Sequence, residues 1–281
     1  MDPDCHPRTL GTPGAPLRGS RPEASLPPAE PDWYDAALYY DVLFSWDPTH
    51  ERDFVLGASA RWGVPAPDRI LEPFCGTGRL LRVMPGRPLG FDLNPHMVRF
   101  AARSARAFRA DAANFALAPG AFDLAYCLID SFRHLPDEAS ARGHFACVGA
   151  ALRPGAVYVL GLDVSAGADP EESLEEWSGR RGEVEVQGRV ELLPDQDPVR
   201  RTETMRVELR VKHGRERRTV VSHQPLRLWS GPELLACLQA EGSFELVSCF
   251  ARTYRLEEPI ALEDAPGSAV LVLRRRGSLT A

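Results

Sequence analysis

Short apolar segments of strand length alternate with longer segments of helical character between residues 49 and 163. The clearest strand is FDLAYCLI, whose near-continuous apolar character is typical of a strand buried on both faces. We predict strands at residues 69–72, 89–92, 107–110, 122–129 and 157–162, and helices at residues 50–63, 79–83, 95–106 and 137–152. This alternation predicts an α/β fold with a doubly wound, mostly parallel sheet.

The pattern changes from residue 183 onward, where apolar and polar residues alternate strictly. Residues 183–192, 202–212 and 217–228 therefore predict a small antiparallel sheet with one face exposed to solvent. This sheet is an insertion after the fifth strand of the main sheet. A helix at residues 232–241 and two last strands, at residues 244–254 and 269–274, complete a main sheet of seven strands.

These patterns divide the chain into five segments. Residues 1–31 are rich in Pro and Gly and contain almost nothing large and apolar, which predicts a disordered tail. Aromatic residues concentrate next, and we predict lid helices at residues 32–65. The α/β core follows at residues 66–180, the antiparallel β insertion at residues 181–229, and the last helix and two strands of the core at residues 230–281.

Composition narrows the class of protein. The chain has 281 residues, 44% hydrophobic and 26% charged, with a net charge of −6, which disfavours a protein that binds nucleic acid through its phosphates. The six cysteines form no CxxC pair, so neither a metal site nor a disulfide framework is predicted. No apolar run reaches the roughly 20 residues of a membrane helix. We predict a cytoplasmic location.

The segment LEPFCGTGR carries the first sign of a ligand site. A strand ends at Glu72, and a turn containing Gly76 and Gly78 lets the backbone approach a ligand without an intervening Cβ. Asp92 ends the next strand, where doubly wound folds place a carboxylate that accepts ribose hydroxyls. A dinucleotide site would have a third glycine where Leu81 stands. The turn therefore favours a nucleoside ligand without phosphates.

Five segments together resemble the successive motifs of class I S-adenosylmethionine-dependent methyltransferases. They are LEPFCGTGRLL, GFDLNPHMVRFA, RADAANF, FDLAYCLIDSFRHL and LRPGAVYVLGLD, and their order and spacing match over roughly residues 33–163. The resemblance implies a Rossmann-like fold and S-adenosylmethionine as the cofactor.

The resemblance also assigns roles within the cofactor site. It places Glu72 beneath the methionine amino group, and it implies that Gly76 and Gly78 let the backbone touch the amino-acid part. Asp92 is expected to bind the ribose. The other expected cofactor contacts are Leu93 and Met97 at the adenine, Asp111 and Ala112 at its polar edge, Cys127 and Leu128 on the methionine side, Arg79 in the turn, and Tyr40 from the lid. Phe74 is a further expected cofactor contact. It departs from the family, which usually has glycine or alanine there, so this turn is expected to be crowded.

Candidates for the acceptor side follow the fourth and fifth strands. His134 is the candidate catalytic residue, because a histidine pKa near neutrality suits a general base; it could instead pack beside the next helix. Asp130, Ser131, Arg133 and Asp163 lie nearby in the predicted topology. The β insertion resembles strands that glycine and amino-sugar N-methyltransferases place over the acceptor or between subunits.

The sequence thus predicts an enzyme that moves a methyl group to N or O of a small molecule by in-line displacement. A homodimer through the β insertion is also predicted. Two alternatives stay open. A protein or RNA methyltransferase is disfavoured because CLIDSF replaces the Asn/Asp-Pro-Pro-Tyr/Phe signature after strand four. A cofactor-binding regulatory protein without catalysis would keep the same cofactor residues.

Overall fold

A computed structural model describes residues 32–164, 173–265 and 267–277, so the predicted tail lies outside the described residues. Within these ranges the chain forms eleven strands and five α-helices. The helices are α1 (Ala37–Leu43), α2 (Thr49–Trp62), α3 (Pro95–Ala101), α4 (Glu138–Ala151) and α5 (Gly231–Glu241). The strands are β1 (Arg69–Pro73), β2 (Arg87–Asp92), β3 (Ala107–Arg109), β4 (Phe122–Cys127), β5 (Leu152–Asp163), β6 (Ser173–Arg181), β7 (Val184–Leu192), β8 (Thr202–His213), β9 (Glu216–Arg227), β10 (Phe244–Phe250) and β11 (Ser268–Arg275).

Seven of these strands form the main sheet, in the order β10-β11-β5-β4-β1-β2-β3. Strands β3, β2, β1, β4 and β5 are parallel, and β11 runs antiparallel between β5 and β10. The predicted fold is confirmed. The strand order reverses between β1 and β4, and in such sheets the ligand crevice opens at the carboxyl ends of the strands beside this switch point.

Several predicted elements are shorter in the structure. Helix α3 ends at Ala101, because the chain turns there to reach β3 at the sheet edge, with the N–H of Ala105 donating to the Ala101 carbonyl. The predicted helix at residues 79–83 is only a 3-10 turn at Leu81–Val83. Strand β10 ends at Phe250, four residues before its predicted end, because the chain turns there, with the N–H of Tyr254 donating to the Ala251 carbonyl.

The second sheet has four antiparallel strands, β6-β7-β8-β9, where the pattern predicted three. Strand β6 (Ser173–Arg181) lacks the alternation on which the prediction rested, because it is an edge strand whose residues are mostly exposed or charged. The predicted boundary between residues 180 and 181 therefore falls inside this strand, and the sheet begins at Ser173.

Helix α1 packs on the second sheet. Its Val42 and Leu43 share an apolar cluster with Val186, Val207 and Leu209 of that sheet. Two glycines allow this approach: a Cβ on Gly179 would collide with the Val42 carbonyl, and one on Gly188 would collide with the Leu43 side chain. Residues 32–46 and 173–229 thus form one body, which we call the cap.

Helix α2 belongs to the main sheet instead. Its Phe54, Val55 and Ala58 are buried against Val157 and Val159 of β5. The predicted pair of lid helices is therefore divided: α1 lies in the cap and α2 in the core. No helix within the described ranges is long and apolar enough to cross a membrane.

Gly179→Ala should separate α1 from the second sheet, because the added methyl group has no room beside the Val42 carbonyl. We expect the free energy of unfolding to fall by about 1–3 kcal/mol, the usual cost of overpacking, in chemical denaturation. Gly277→Ala is the matched control, since a Cβ there meets open space. Equal stability of the two variants would contradict the proposed close packing.

Candidate active site

A crevice of about 530 Å³ opens at the carboxyl ends of β1 and β2, beside the switch point. It collects many of the residues predicted for the cofactor from separate motifs: Tyr40, Phe74, Gly76, Asp92, Leu93, Met97, Asp111 and Ala112. Met97 is buried, whereas the Leu93 side chain is 59% exposed at the crevice. An apolar side chain left exposed here suits contact with a flat, apolar ring.

The glycine turn and Asp92 are joined by hydrogen bonds. Gly76 has a left-handed backbone (φ 52°), and its N–H donates to Oδ2 of Asp92 at 2.9 Å. The N–H of Asn94 donates to Oδ1 at the same distance. Burial raises the pKa of Asp92, and these backbone donors oppose that rise. Two fixed backbone donors orient this carboxylate on the crevice wall, and each oxygen keeps capacity for a ligand hydroxyl.

Behind the turn lies a smaller cavity of about 60 Å³, whose walls include Glu72, Arg79, Cys127 and Leu128. Burial raises the pKa of Glu72 to about 8, although the Tyr126 hydroxyl donates to its Oε2 at 2.9 Å. Burial also raises the pKa of the Cys127 thiol, which therefore stays protonated. A buried carboxylate of this kind would be stabilised by an ammonium group in the cavity.

Arg79 supplies the complementary charge. Its Nη2 pairs with Oε1 of Glu51 at 2.7 Å, while its Nη1 is buried without a hydrogen-bond partner among the described residues. Glu72 and Arg79 thus present an acidic and a basic group in one small cavity. This donor set fits the ammonium and carboxylate of an amino-acid moiety.

Gly78 lies away from these walls. Its backbone is left-handed (φ 75°), and a Cβ there would stand 3.2 Å from the Cβ of Ala101 in α3. The resemblance implied a contact between this glycine and the cofactor. The structure instead places Gly78 against α3, so its lack of a side chain serves the packing of the turn on that helix.

The structure gives a reason for the unusual residue of the turn, Phe74. Its backbone is left-handed (φ 56°), a conformation that glycine adopts more easily. Its ring lies 5.4 Å from the ring of the buried His144, whose Nδ1 is 2.9 Å from the carbonyl oxygen of Ala112. Phe74 therefore fills the space that glycine would leave and supports the crevice wall at Ala112.

A third cavity, of about 840 Å³, lies between the core and the cap. Aromatic side chains from both bodies line it: Trp33, Tyr34, Tyr40, Phe44, Trp46, Trp177 and Tyr254. Asp130 and Asp163, predicted from the ends of β4 and β5, line it as well. Sequence reasoning missed Trp177 because it missed β6, and it missed Tyr254 because no motif surrounds this residue.

The three cavities meet at a few side chains. Tyr40 and Ser131 line all three, while Tyr34 and His134 line both the crevice and the large cavity. Nε2 of His134 lies 2.8 Å from the Tyr34 hydroxyl. Burial, together with the charge of Arg133, lowers the pKa of His134 to about 4. The imidazole is therefore neutral at pH 7, and it is a weaker base than the sequence suggested.

Arg133 stands behind the cavity wall and is 2% exposed. It pairs with Asp130 at 3.1 Å and with Glu203 of β8, and its Nε donates to the Arg227 carbonyl at 2.8 Å. Asp130 has a left-handed backbone (φ 53°), and its Oδ1 accepts the N–H of Asp163. Arg133 thus holds the ends of β4 and β5 against the cap.

Residues 70–156 match a family model described as a methyltransferase domain. This segment is therefore similar to a methyltransferase domain. It contains β2 to β4, all of β1 but Arg69, and every predicted cofactor residue except Tyr40. A comparison with curated proteins finds no match to this chain.

Solved structures share the fold of this chain. An S-adenosylmethionine-dependent methyltransferase from Clostridium acetobutylicum superposes with a TM-score of 0.69 at 18% identity, over 87% of this chain and 99% of that one. A sugar N-methyltransferase from Streptoalloteichus gives 0.68 at 20% identity, over 94% and 100%. An amino pentose methyltransferase from Micromonospora echinaspora, solved with S-adenosylmethionine bound, gives 0.59 at 21% identity, over 87% and 92%.

Glu72→Gln should make the protein without bound ligand more stable relative to wild type as pH rises. The folded-state pKa of Glu72 is about 8, against an ordinary value of 4.5. Between these values the folded state holds a proton that the unfolded state lacks, so wild-type stability falls with rising pH by up to about 1.4 kcal/mol per unit. Glutamine removes this loss.

Urea denaturation at pH 5 and pH 8 measures the effect. The advantage of Glu72→Gln over wild type should be larger at pH 8. Glu258→Gln changes an exposed carboxylate and should show no such trend. An advantage of Glu72→Gln that does not change with pH would show that burial does not raise this pKa.

Proposed function

We propose that this enzyme transfers the methyl group of S-adenosylmethionine to the amine nitrogen of a small polyhydroxylated molecule, such as an amino sugar. The ionisable groups where the cavities meet favour nitrogen over oxygen as the atom that accepts the methyl group. The described ionisable side chains where the cavities meet are Tyr34 and Tyr40, whose pKa values burial raises, and His134, whose pKa burial lowers. None of them is a strong base near pH 7. An amine can attack without one, whereas a hydroxyl acceptor needs to lose its proton.

The walls of the large cavity support an acceptor with both apolar and polar faces. Its aromatic rings suit the C–H faces of a sugar ring and the positive charge of an amine. Its carboxylates Asp130 and Asp163 are held by arginines, with Asp163 2.6 Å from Nη2 of Arg252. Such paired carboxylates accept hydrogen bonds from hydroxyl and ammonium groups at fixed positions.

Two structural neighbours support the same acceptor class. One is named a sugar N-methyltransferase and the other an amino pentose methyltransferase. Both match this chain over most of their lengths. The acid-lined cavity and the net charge of −6 disfavour RNA as the acceptor.

The cofactor residues take roles that follow from their positions. We assign Glu72 to the amino group and Arg79 to the carboxylate of the methionine part, and Asp92 to the ribose hydroxyls. Leu93 and Met97 contact the adenine in this assignment, with Asp111 and Ala112 at its polar edge. Gly76 leaves room for the ligand beside Tyr40, whose ring carbon lies 3.8 Å from the position of an added Cβ.

Catalysis in this proposal is mainly a matter of position. S-adenosylmethionine supplies a sulfonium methyl group that is already activated toward a nucleophile. The cap covers one side of the meeting point of the cavities, where Tyr40 and Ser131 line all three, so a bound acceptor is held in a fixed position beside the methyl group. The Tyr34 hydroxyl is held at His134, so we propose that His134 positions Tyr34 toward the acceptor. The cytoplasmic location and the homodimer through the second sheet stay predictions.

Asp92→Ala should weaken binding of S-adenosylhomocysteine, because the ribose hydroxyls lose a charged partner. We expect roughly a 10- to 150-fold rise in Kd, equal to the usual contribution of hydrogen bonds to a charged group, measured by titration calorimetry. Asp123→Ala changes a carboxylate at the opposite end of the sheet, beside Asp68, and is the control. Unchanged affinity in Asp92→Ala would show that Asp92 does not bind the ribose hydroxyls.

His134→Gln separates a positioning role from base catalysis. Initial rates would be measured as S-adenosylhomocysteine release, first in a screen of amino sugars, other amines, hydroxy acids and phenols. With the best amine acceptor, we expect kcat to fall less than about ten-fold, since loss of a general base costs roughly 10²–10⁴-fold. As the pH is raised, the wild-type rate should rise with the fraction of the acceptor amine that is deprotonated. Turnover of phenols or hydroxy acids alone would contradict the proposed acceptor.

A further inference from the structure

Asp41 of α1 is a buried acid to which the chemistry above assigns no role. Its side chain is 3% exposed, although it lies outside the three cavity walls. Three groups donate to its carboxylate: the hydroxyl of Thr77, Nη2 of Arg82 at 2.9 Å and Nη1 of Arg181 at 2.7 Å. Burial favours a higher pKa for Asp41, but these donors outweigh it and hold the pKa below its ordinary value. The residue is therefore a fixed anion.

The three donors come from different parts of the molecule. Arg181 ends β6 of the cap, whereas Thr77 and Arg82 belong to the core, on and just after the glycine turn. Nη1 of Arg82 also donates to the Thr77 carbonyl at 2.9 Å, which fixes the backbone between Gly76 and Gly78. Asp41 thus joins the backbone of the cofactor turn to the cap through side chains that are charged and oriented.

The position of Asp41 along α1 adds to this connection. The preceding residue, Tyr40, lines all three cavities and lies over Gly76. Val42, the next residue, is fully buried against the second sheet beside Gly179. A shift of the glycine turn therefore reaches the cap through both the side chains and the helix backbone.

We propose that Asp41 is a positioning residue that couples the cofactor turn to the cap, so that cofactor binding fixes the wall of the acceptor cavity. A ligand that orders the turn at Gly76 also orders Thr77 and Arg82, and with them Asp41 and β6. Trp177 of β6 then holds its place on the acceptor cavity wall. Other contacts also join the cap to the core: Arg133 pairs with Glu203, and Nη2 of Arg201 lies 2.5 Å from Oε2 of Glu233 in α5.

The inference rests on the proposed cofactor site, and its test needs no acceptor. Hydrogen exchange of β6 and β7 would be followed with and without S-adenosylhomocysteine, because neither strand lines the crevice or the Glu72 cavity. In wild type we expect exchange in these strands to slow at least about five-fold on binding, the lower end of ordinary coupling between sites. Each variant is compared at equal fractional saturation, set by calorimetry.

Asp41→Asn and Arg82→Gln each remove the charged link between turn and cap. We expect either variant to reduce the slowing in β6 and β7 to less than about two-fold, while the glycine turn itself is still protected. Arg201→Gln is the matched control, because it breaks a cap–core ion pair that does not involve the turn. It should retain the wild-type response. Arg82→Gln keeps the test decisive if Asp41→Asn does not fold, since the Arg82 side chain is 28% exposed.

The experiment separates failure of the proposed cofactor site from failure of the coupling. Absence of S-adenosylhomocysteine binding in wild type would overturn the proposed cofactor site and this inference with it. Binding without slower exchange in β6 and β7 would overturn the coupling alone. Slowing that persists in both Asp41→Asn and Arg82→Gln would assign the coupling to other contacts and overturn the role of Asp41.

Discussion

The hydrogen bond from the Gly76 amide to Asp92 is the interaction on which the cofactor site depends. It connects the chain leaving β1 to the end of β2 and so closes one side of the crevice. The bond requires a left-handed backbone at Gly76, and Phe74 has the same conformation two residues earlier. A non-glycine residue in this conformation costs of order 1–3 kcal/mol. The packing of the Phe74 ring beside His144 offsets that cost.

The cap depends on a different constraint, the absence of side chains at Gly179 and Gly188. Only this absence lets α1 lie close enough to the second sheet for the two to share one apolar cluster. The consequence is an acceptor cavity with walls from two bodies. The core contributes Asp130, Asp163 and His134, and the cap contributes most of the aromatic rings. The polar and the aromatic walls of the large cavity are therefore carried by different parts of the chain.

The main sheet and most of the crevice could be predicted from the sequence, because short stretches of neighbouring residues determine both. Continuous apolar runs predict buried parallel strands, and the residues beside Gly76 and Asp92 follow strands directly. Strand β6 was missed since an edge strand of charged residues lacks an apolar face. The neutral state of His134 was also hidden, because its pKa depends on burial by segments about a hundred residues away in the chain, such as the one containing Tyr34. Residues that line the large cavity, such as Tyr254, follow no local sequence motif.

The division of the cap between two distant segments has a consequence for how the molecule holds together. Residues of the crevice lie mostly within one continuous stretch, whereas Asp41 and Arg181, which join α1 to β6, are 140 positions apart. Joining such distant segments carries a larger loss of chain entropy than joining neighbours. The walls of the large cavity therefore form only when segments that are distant in the chain have come together, and its shape depends on the longest-range contacts of the fold.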